Sequence, residues 1–253
     1  MKKLMIAASA ALIATVGLSL ESANVVGYSE VGLRFGSKGA GACFVNIDTS
    51  KSMDLQDLKV TGYDKAAGYE DAGVTVQTLD AYGRAIETYT WYDVPDDFVG
   101  WLDSNDNYVE DMPIAPGEGL YARAPDTTFA LQSAGQVASS DIAITLRFGS
   151  KLVVNPMPIS INMNDDNGDE NYLRVTGYDV LAGYEDAGVT VQTLDAYGRA
   201  VETYTWYDVP DDFFGWLDSN DEYVEGISIA PGESLYARAP NTDFALVFPA
   251  PAL

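Results

Sequence analysis

Hydrophobic and polar residues alternate along most of the chain in short runs, separated by turn-forming residues every ten positions or so. The run 74–79 (VTVQTL) predicts one strand, and the run 85–92 (AIETYTWY) predicts a second strand after a short turn. In the second run, alternation places Glu87, Tyr89 and Trp91 on one face. This pattern is typical of antiparallel hairpins with one buried face.

The next segment continues the same pattern. Residues 98–102 and 108–110 predict a pair of strands around a turn at 103–107, where Asp and Asn cluster. The Pro-Gly pair at 116–117 predicts a type II turn. No stretch has a sustained helical period, although 53–58 is long enough for one helical turn.

The chain contains an internal repeat. Residues 58–131 recur as 173–246 with about 62 of 74 positions identical. We therefore predict an all-β protein with two tandem homologous modules, each a small antiparallel β-sandwich or barrel. The predicted organisation is a signal peptide at 1–23, a first β module at 24–137 and a second β module at 138–253.

The two copies differ in one segment each. Residues 39–57 and 152–172 share little sequence and differ in length by two. Any difference in binding between the modules is expected in these segments. A recent duplication leaves all other residues alike, so the repetition does not identify functional residues.

The N-terminus resembles a secretory signal peptide. Lys2 and Lys3 precede an apolar stretch, 4–20, and the first acidic residue is Glu21. An uncleaved membrane anchor is the alternative interpretation. We expect a bacterial protein that is secreted to the periplasm, the cell surface or the extracellular space, without a membrane span in the mature chain.

Composition excludes several partners and chemistries. The sequence has 38 acidic residues, 14 basic residues and no histidine, for a net charge of −24. Such a charge repels nucleic acid and anionic lipid, so neither is an expected partner. Without histidine, no Ser-His-Asp triad and no His-ligated zinc site can form.

The single cysteine, Cys43, cannot form an intramolecular disulfide. Burial as a small apolar residue and an intermolecular bridge are its two interpretations. Stability within one chain must therefore come from packing.

Several short motifs resemble a group of exported proteins from planctomycete and verrucomicrobial-type bacteria. The motifs are SANVVGY at 22–28, GW at 100–101, IAPGEGLY at 114–121 and KLVVNPM at 151–157. The group has a SANVVGY mature start and a PGxGF strand entry, and its members tend to be two-lobed. The resemblance implies a secreted β protein, without an established activity. The first copy lacks the Asn-Pro pair, and the second has Ser234 at the second glycine of the motif.

Paired carboxylates are the remaining basis for catalysis, since glycoside hydrolysis needs two at a suitable separation. One region is crowded with acids: Asp93, Asp96, Asp97, Asp103, Asp106, Glu110 and Asp111. A solvated acidic face explains the same residues. A carboxylate-dependent glycoside hydrolase is therefore a hypothesis, and a noncatalytic protein is the main expectation.

Calcium is a possible ligand of the Asx-rich turns, because carboxylate and amide oxygens suit a hard cation. The candidate metal ligands are Asp103, Asn105 and Asp106 in the first copy and Asp218, Asn220 and Asp221 in the second. A second acidic segment, 164–170, does not fit the twelve-residue calcium loop. Hairpin turns stabilised by their own Asp and Asn side chains are the alternative, and then no cofactor is needed.

Aromatic residues provide the candidate carbohydrate sites. These are Trp91, Tyr92 and Trp101 in the first copy and Trp206, Tyr207 and Trp216 in the second. Exposed rings would form platforms for sugar rings, whereas alternation along a strand turns some of them into the core. Core packing is the favoured interpretation for any single tryptophan, and a sugar platform is the other.

Three functions are consistent with these features. We expect a noncatalytic surface or matrix protein whose duplicated modules are structural or self-associate. A carbohydrate-binding protein that binds an extracellular polysaccharide is the alternative, and the glycoside hydrolase is the third.

Overall fold

The structure is a computed structural model that describes fifteen segments of the chain. These are residues 26–33, 38–42, 53–62, 71–80, 84–94, 97–123, 128–136, 138, 140–147, 149–165, 171–178, 186–195, 199–209, 213–239 and 242–251. The predicted signal peptide at 1–23, Cys43, Asp96 and the acidic residues 166–170 lie outside them.

Strands make up most of the described residues in both halves of the chain. In the first half they are β1 (Val26–Leu33), β2 (Lys38–Ala42), β3 (Met53–Asp54), β4 (Lys59–Thr61), β5 (Asp71–Leu79), β6 (Ala85–Val94), β7 (Phe98–Leu102), β8 (Pro113–Ile114), β9 (Leu120–Arg123) and β10 (Phe129–Gln136). In the second half they are β11 (Ile142–Leu146), β12 (Gly149–Val154), β13 (Ile161–Asn162), β14 (Arg174–Thr176), β15 (Asp186–Leu194), β16 (Ala200–Val209), β17 (Phe213–Leu217), β18 (Ser228–Ile229), β19 (Ser234–Ala239) and β20 (Phe244–Phe248). The predicted all-β class is confirmed.

Each half contains a five-stranded, a three-stranded and a two-stranded sheet with corresponding strand orders. The five-stranded sheets run β2-β9-β5-β6-β7 and β12-β19-β15-β16-β17. The three-stranded sheets run β1-β10-β4 and β11-β20-β14, and the two-stranded sheets pair β3 with β8 and β13 with β18. No helix in the described segments is long and apolar enough to cross a bilayer.

The predicted local elements are largely present. On β6, Tyr89 and Trp91 are buried and Ile86 is exposed, so they lie on different faces as the alternation predicted. The turn at 116–117 is type II, because Glu118 N–H donates to the Ala115 carbonyl at 3.0 Å and Gly117 has φ 73°.

One of the remaining expectations agrees with the structure and one needs adjustment. One turn of 3-10 helix, Leu55–Asp57, forms within 53–58, and the Asp54 carboxylate caps it by accepting from Gln56 N–H at 2.8 Å. The predicted strand at 108–110 reduces to one bridge between Tyr108 and Leu102.

The buried apolar side chains form two separate clusters. One comes from residues 53–131 and the other from residues 138–248. The predicted module boundary between 137 and 138 stays a prediction.

The two halves meet at the outer edge of β12. Val154 donates its backbone N–H to the Gly117 carbonyl at 3.1 Å, and Glu118 forms an antiparallel bridge with Val153. Strand β2 of the first half in turn contacts β12 and β19 of the second. We call this contact the seam. It covers an edge whose peptide groups would otherwise face solvent.

Two glycines make the seam close-packed. A Cβ on Gly117 would lie 2.0 Å from Ile144 Cδ1, and a Cβ on Gly119 would lie 2.7 Å from Leu152 Cγ. The second copy has Ser234 in place of Gly119. Glycine is therefore required in the first copy, where this position faces Leu152, whereas the second copy tolerates a serine.

We expect Gly119→Ala to lower the free energy of unfolding by about 1–3 kcal/mol, because the added methyl overlaps Leu152. Urea unfolding of the purified protein measures the change. In the double variant with Leu152→Ala, space opens and the combined loss should be smaller than the sum of the two single losses. Ser234→Ala is the matched control in the second half. Strictly additive losses would show that the two residues do not pack together.

Candidate functional site

The four tryptophans form two buried pairs. Trp91 and Trp101 pack edge to face with ring centroids 5.3 Å apart, and Trp206 and Trp216 repeat this at 5.3 Å. None of the four is more than 3% exposed. Core packing therefore describes all four, and no indole face is open to a sugar ring. Burial follows because β6 and β7 turn these positions toward the same side of the sheet.

A side-chain amide closes the outer edge of β7. The Gln56 amide donates from Nε2 to the carbonyls of Trp101 and Val109, each at 2.9 Å, and its Oε1 accepts from Trp101 N–H at 3.2 Å. The Trp101 indole N–H donates to the Leu58 carbonyl at 2.9 Å. We call the amide contact the clamp. It satisfies peptide groups that an edge strand leaves without a neighbouring strand.

The second half builds the same clamp with a different residue. Asn164 Nδ2 donates to the carbonyls of Trp216 and Val224 at 2.8 and 3.0 Å, and Oδ1 accepts from Trp216 N–H at 2.7 Å. The Trp216 indole donates to the Leu173 carbonyl at 2.9 Å. The segments that share little sequence, 39–57 and 152–172, thus provide equivalent contacts, one through a glutamine and the other through an asparagine.

The position of the clamp residue shows where along the chain the two copies differ in length. Gln56 lies two positions before Leu58, whereas Asn164 lies nine positions before Leu173. The second half therefore has a longer connection after its clamp and a shorter one before it. This equivalence was not predictable from the sequence, because the two residues differ in type and stand at different distances from the repeated segment.

An aromatic pair lies on the opposite face of β7. Phe98 and Tyr108 pack edge to face at 5.6 Å, and Phe213 and Tyr223 do so at 5.7 Å. Tyr108 is 49% exposed and Tyr223 is 38% exposed. The sequence alone pointed to the tryptophans and missed these four residues.

Glycine makes room for each pair. A Cβ on Gly100 would lie 2.8 Å from Gln56 Oε1 and 3.3 Å from Tyr108 Cε2. The corresponding distances at Gly215 are 2.8 Å to Asn164 Oδ1 and 3.2 Å to Tyr223 Cε2. One glycine in each half therefore admits the clamp and the aromatic pair together.

The candidate tyrosines lie beside these pairs. Tyr92 is opposite Gly100 and Tyr207 is opposite Gly215, so both face outward from the five-stranded sheets. The Tyr207 hydroxyl donates to Asp221 Oδ1 at 3.5 Å, which links this tyrosine to a candidate turn. We define the aromatic clusters as Tyr92, Phe98 and Tyr108, and Tyr207, Phe213 and Tyr223.

The candidate metal turns are held by their own hydrogen bonds. Asp103 Oδ1 accepts from the backbone N–H groups of Asn105 and Asn107 at 2.8 and 2.9 Å. These bonds favour the carboxylate and hold the pKa of Asp103 below its usual value. Asp106 takes the left-handed conformation, with φ 61°.

The second turn repeats the arrangement. Asp218 Oδ1 accepts from the N–H groups of Asn220 and Glu222 at 2.8 and 2.9 Å, which lowers the pKa of Asp218. Asp221 also has φ 61°. Asx turns account for the position of every candidate ligand. Within the described segments, no group of three or more Asp, Glu or Cys side chains is arranged to hold a metal ion.

In the described segments, the three carboxyl groups with shifted pKa values are all shifted downward. Backbone N–H donors lower the pKa of Asp103 and Asp218, and the Ala250 N–H followed by Arg174 lowers that of Asp141. A glycosidase general acid requires the opposite displacement.

Besides the aromatic clusters and the Asx turns, the outward face of each five-stranded sheet is a further candidate surface. In the first half an open cleft of about 520 Å³ is lined by Thr75, Gln77, Leu79, Ala85, Thr88, Tyr121 and Arg123. Gln77 Nε2 donates to Thr88 Oγ1 at 2.8 Å, and Gln192 donates to Thr203 at 2.9 Å in the second half. These residues were not predictable as a site from the sequence, because isolated Thr and Gln on a strand resemble any solvated face.

We expect Gln56→Ala to lower the free energy of unfolding by about 2–4 kcal/mol, because it removes the hydrogen-bond partner of the Trp101 N–H and of the Val109 carbonyl, while the Trp101 carbonyl keeps the Val109 N–H. Asn164→Ala should have a similar effect on the second half. Chemical denaturation followed by tryptophan fluorescence measures both. Glu110→Gln, an exposed change on the same hairpin, is the control. A loss for Gln56→Ala no larger than that of the control would contradict the structural role of the clamp.

The turn carboxylates make a pH-dependent contribution to stability. Since the folded pKa of Asp103 is depressed, its ionised form stabilises the folded state at pH values above the ordinary Asp range. That contribution is lost as the pH falls through the folded pKa. We therefore expect Asp103→Ala to be destabilising at pH 6, and we expect this destabilisation to shrink as the pH falls below the ordinary Asp range.

Denaturant unfolding across this pH range measures the difference. Asp106→Asn is the control, since it removes a neighbouring charge and keeps a side chain suited to φ 61°. A destabilisation by Asp103→Ala that is independent of pH would exclude the carboxylate as its source.

Comparison with known proteins gives no family whose model matches this chain, no matching curated protein and no matching solved structure.

Proposed function

We propose that the chain is a noncatalytic, exported protein of a bacterial surface or matrix, with two duplicated β-sandwich modules that self-associate. The corresponding sheet orders of the two halves and their separate apolar clusters support the two-module description. Export to the cell envelope or beyond is supported by the signal-like N-terminus and by the high acidic charge. The protein acts as a structural unit that presents the same surfaces twice.

The observation that carries this proposal is an exposed apolar residue on the edge strand of each five-stranded sheet. Strands β7 and β17 are outermost in their sheets, at the edges opposite β2 and β12 of the seam. Val99 on β7 is 57% exposed, and Phe214 on β17 is 60% exposed. Edge strands with exposed apolar side chains are templates for association with another chain.

The clamp limits how far such an association extends. Gln56 occupies the outer edge at Trp101, so the start of β7, around Val99, is the part left for a partner strand. Two such edges on one chain permit each molecule to contact two others. Short, low-affinity contacts at both ends suit a matrix component, because several weak contacts reinforce one another.

We expect the purified protein to show concentration-dependent association, and Phe214→Glu to weaken it by about tenfold or more, because an unpaired carboxylate at the contact is costly. Sedimentation velocity over a range of concentrations measures this. Val201→Glu is the matched control, since Val201 is similarly exposed, at 66%, and lies away from the edge strand.

Two outcomes would contradict the edge contact. A protein that stays monomeric at every concentration has no self-association to explain. An equal effect of Phe214→Glu and Val201→Glu would assign the association to general surface hydrophobicity.

Carbohydrate binding is the second candidate, and the aromatic clusters favour it. Tyr92 and Tyr207 remain on the outward face, each next to an exposed tyrosine of an aromatic pair. Tyrosine rings beside Asp and Asn side chains combine an apolar surface with hydrogen-bonding groups for hydroxyls. Two equivalent faces on one chain would bind a repeating polysaccharide with avidity.

A further inference from the structure

The outward face of β5, β6 and β9 carries an arginine in an unusual setting. All seven residues that line its cleft are uncharged except Arg123, although the sequence contains 38 acidic residues. Among the described residues, no carboxylate forms an ion pair with Arg123 or with Arg238. A cation without a carboxylate partner in so acidic a protein is available for an external anion.

The strand register places the arginine next to sugar-binding chemistry. Tyr121 and Arg123 are two positions apart on β9, so their side chains share one face. Gln77 lies opposite both Tyr121 and Thr88, and Thr75 lies opposite Arg123. Tyrosine ring, amide and hydroxyls thus surround the guanidinium.

Arginine and tyrosine are also electrostatically coupled. Burial raises the pKa of Tyr121, and the positive charge of Arg123 opposes that rise. Tyr121 and Arg123 also line the same cleft, so one bound group can touch both side chains.

The second half repeats these positions. Arg238 lies opposite Thr190, Tyr236 lies opposite Gln192, and Gln192 bonds Thr203. None of the five residues in this set differs between the copies.

We propose that each of these faces binds a carboxylate-bearing polysaccharide, with Arg123 or Arg238 pairing with the carboxylate of a uronic acid unit. Arginine binds carboxylates through two parallel N–H donors, and Tyr121 or Tyr236 offers an apolar ring to the sugar. Gln77 and the threonines provide hydrogen bonds for hydroxyls. The inference rests on the carbohydrate-binding candidate and adds the charge of the ligand and the residue that recognises it.

The net charge of −24 opposes the approach of any polyanion. Interactions between exposed charges are screened beyond about 8 Å at physiological ionic strength, however, so the charges next to a short bound oligomer matter most. The described residues of the face itself contribute no acidic side chain to the cleft. Local contacts with arginine therefore decide the binding of a carboxylate there.

The test compares two hexamers with the same backbone: oligogalacturonate and its methyl ester. We expect calorimetric titration of the purified protein to show at least fivefold tighter binding of the acidic hexamer. In the double variant Arg123→Gln/Arg238→Gln, binding of the acidic hexamer should fall at least tenfold, while binding of the ester changes less than twofold. Circular dichroism confirms that the variant keeps its β structure.

The matched control is Arg84→Gln/Arg199→Gln, which removes two exposed arginines that lie next to Asp80 and Asp195. Loss of acidic-hexamer binding in this control equal to that in the test variant would assign the binding to nonspecific charge and overturn the proposal. A polyglutamate peptide that binds as tightly as the hexamer would also overturn it, because the carboxylate alone would then suffice.

The remaining outcomes separate the inference from the function beneath it. If both hexamers bind equally, carbohydrate binding stands and recognition of the carboxylate is wrong. If neither hexamer binds, the inference is wrong and carbohydrate binding loses its support.

Discussion

The fold depends on satisfying the backbone of one buried tryptophan at the edge of each five-stranded sheet. Trp101 and Trp216 carry the largest side chains of the core, but they lie on edge strands. Val109 and Val224 each donate a backbone N–H to the tryptophan carbonyl at 3.2 Å, and the tryptophan N–H still needs an acceptor. A buried peptide group without a partner costs as much as a lost hydrogen bond, so an edge strand is a poor place for it. A side-chain amide solves the problem because it donates and accepts like a peptide group. The adjacent glycine and the aromatic pair above it follow from the presence of that amide.

The two halves show that this constraint is stronger than sequence identity in the segment that meets it. The repeated part of the chain is nearly identical, while the segments that carry Gln56 and Asn164 share little sequence. Both nevertheless bring an amide to the same three backbone groups. The shorter asparagine is buried, and the longer glutamine is only partly buried, so the backbone adjusts its distance to the side chain available.

Sequence patterns predicted the strands and turns, which depend on residues close in the chain, and missed the contacts between residues far apart in the chain. The strands around Val76 and Tyr89 and the turn at Gly117 were predictable, because alternation and turn chemistry are local. The clamp was not, because Gln56 contacts Trp101 across forty-five positions. Burial of all four tryptophans was favoured for each one singly, but their pairing required the register of β6 with β7. The outward position of Tyr92 and Phe98 follows from that same register, and alternation from a buried Trp101 was the signal that pointed to it.

The seam makes corresponding positions of the two copies unequal. Gly119 accommodates Leu152, whereas the matching position in the second copy is Ser234. Strands β2 and β12 occupy corresponding edges of their sheets and contact each other. The two copies therefore differ where the halves meet, while the strands of their five-stranded sheets stay nearly identical.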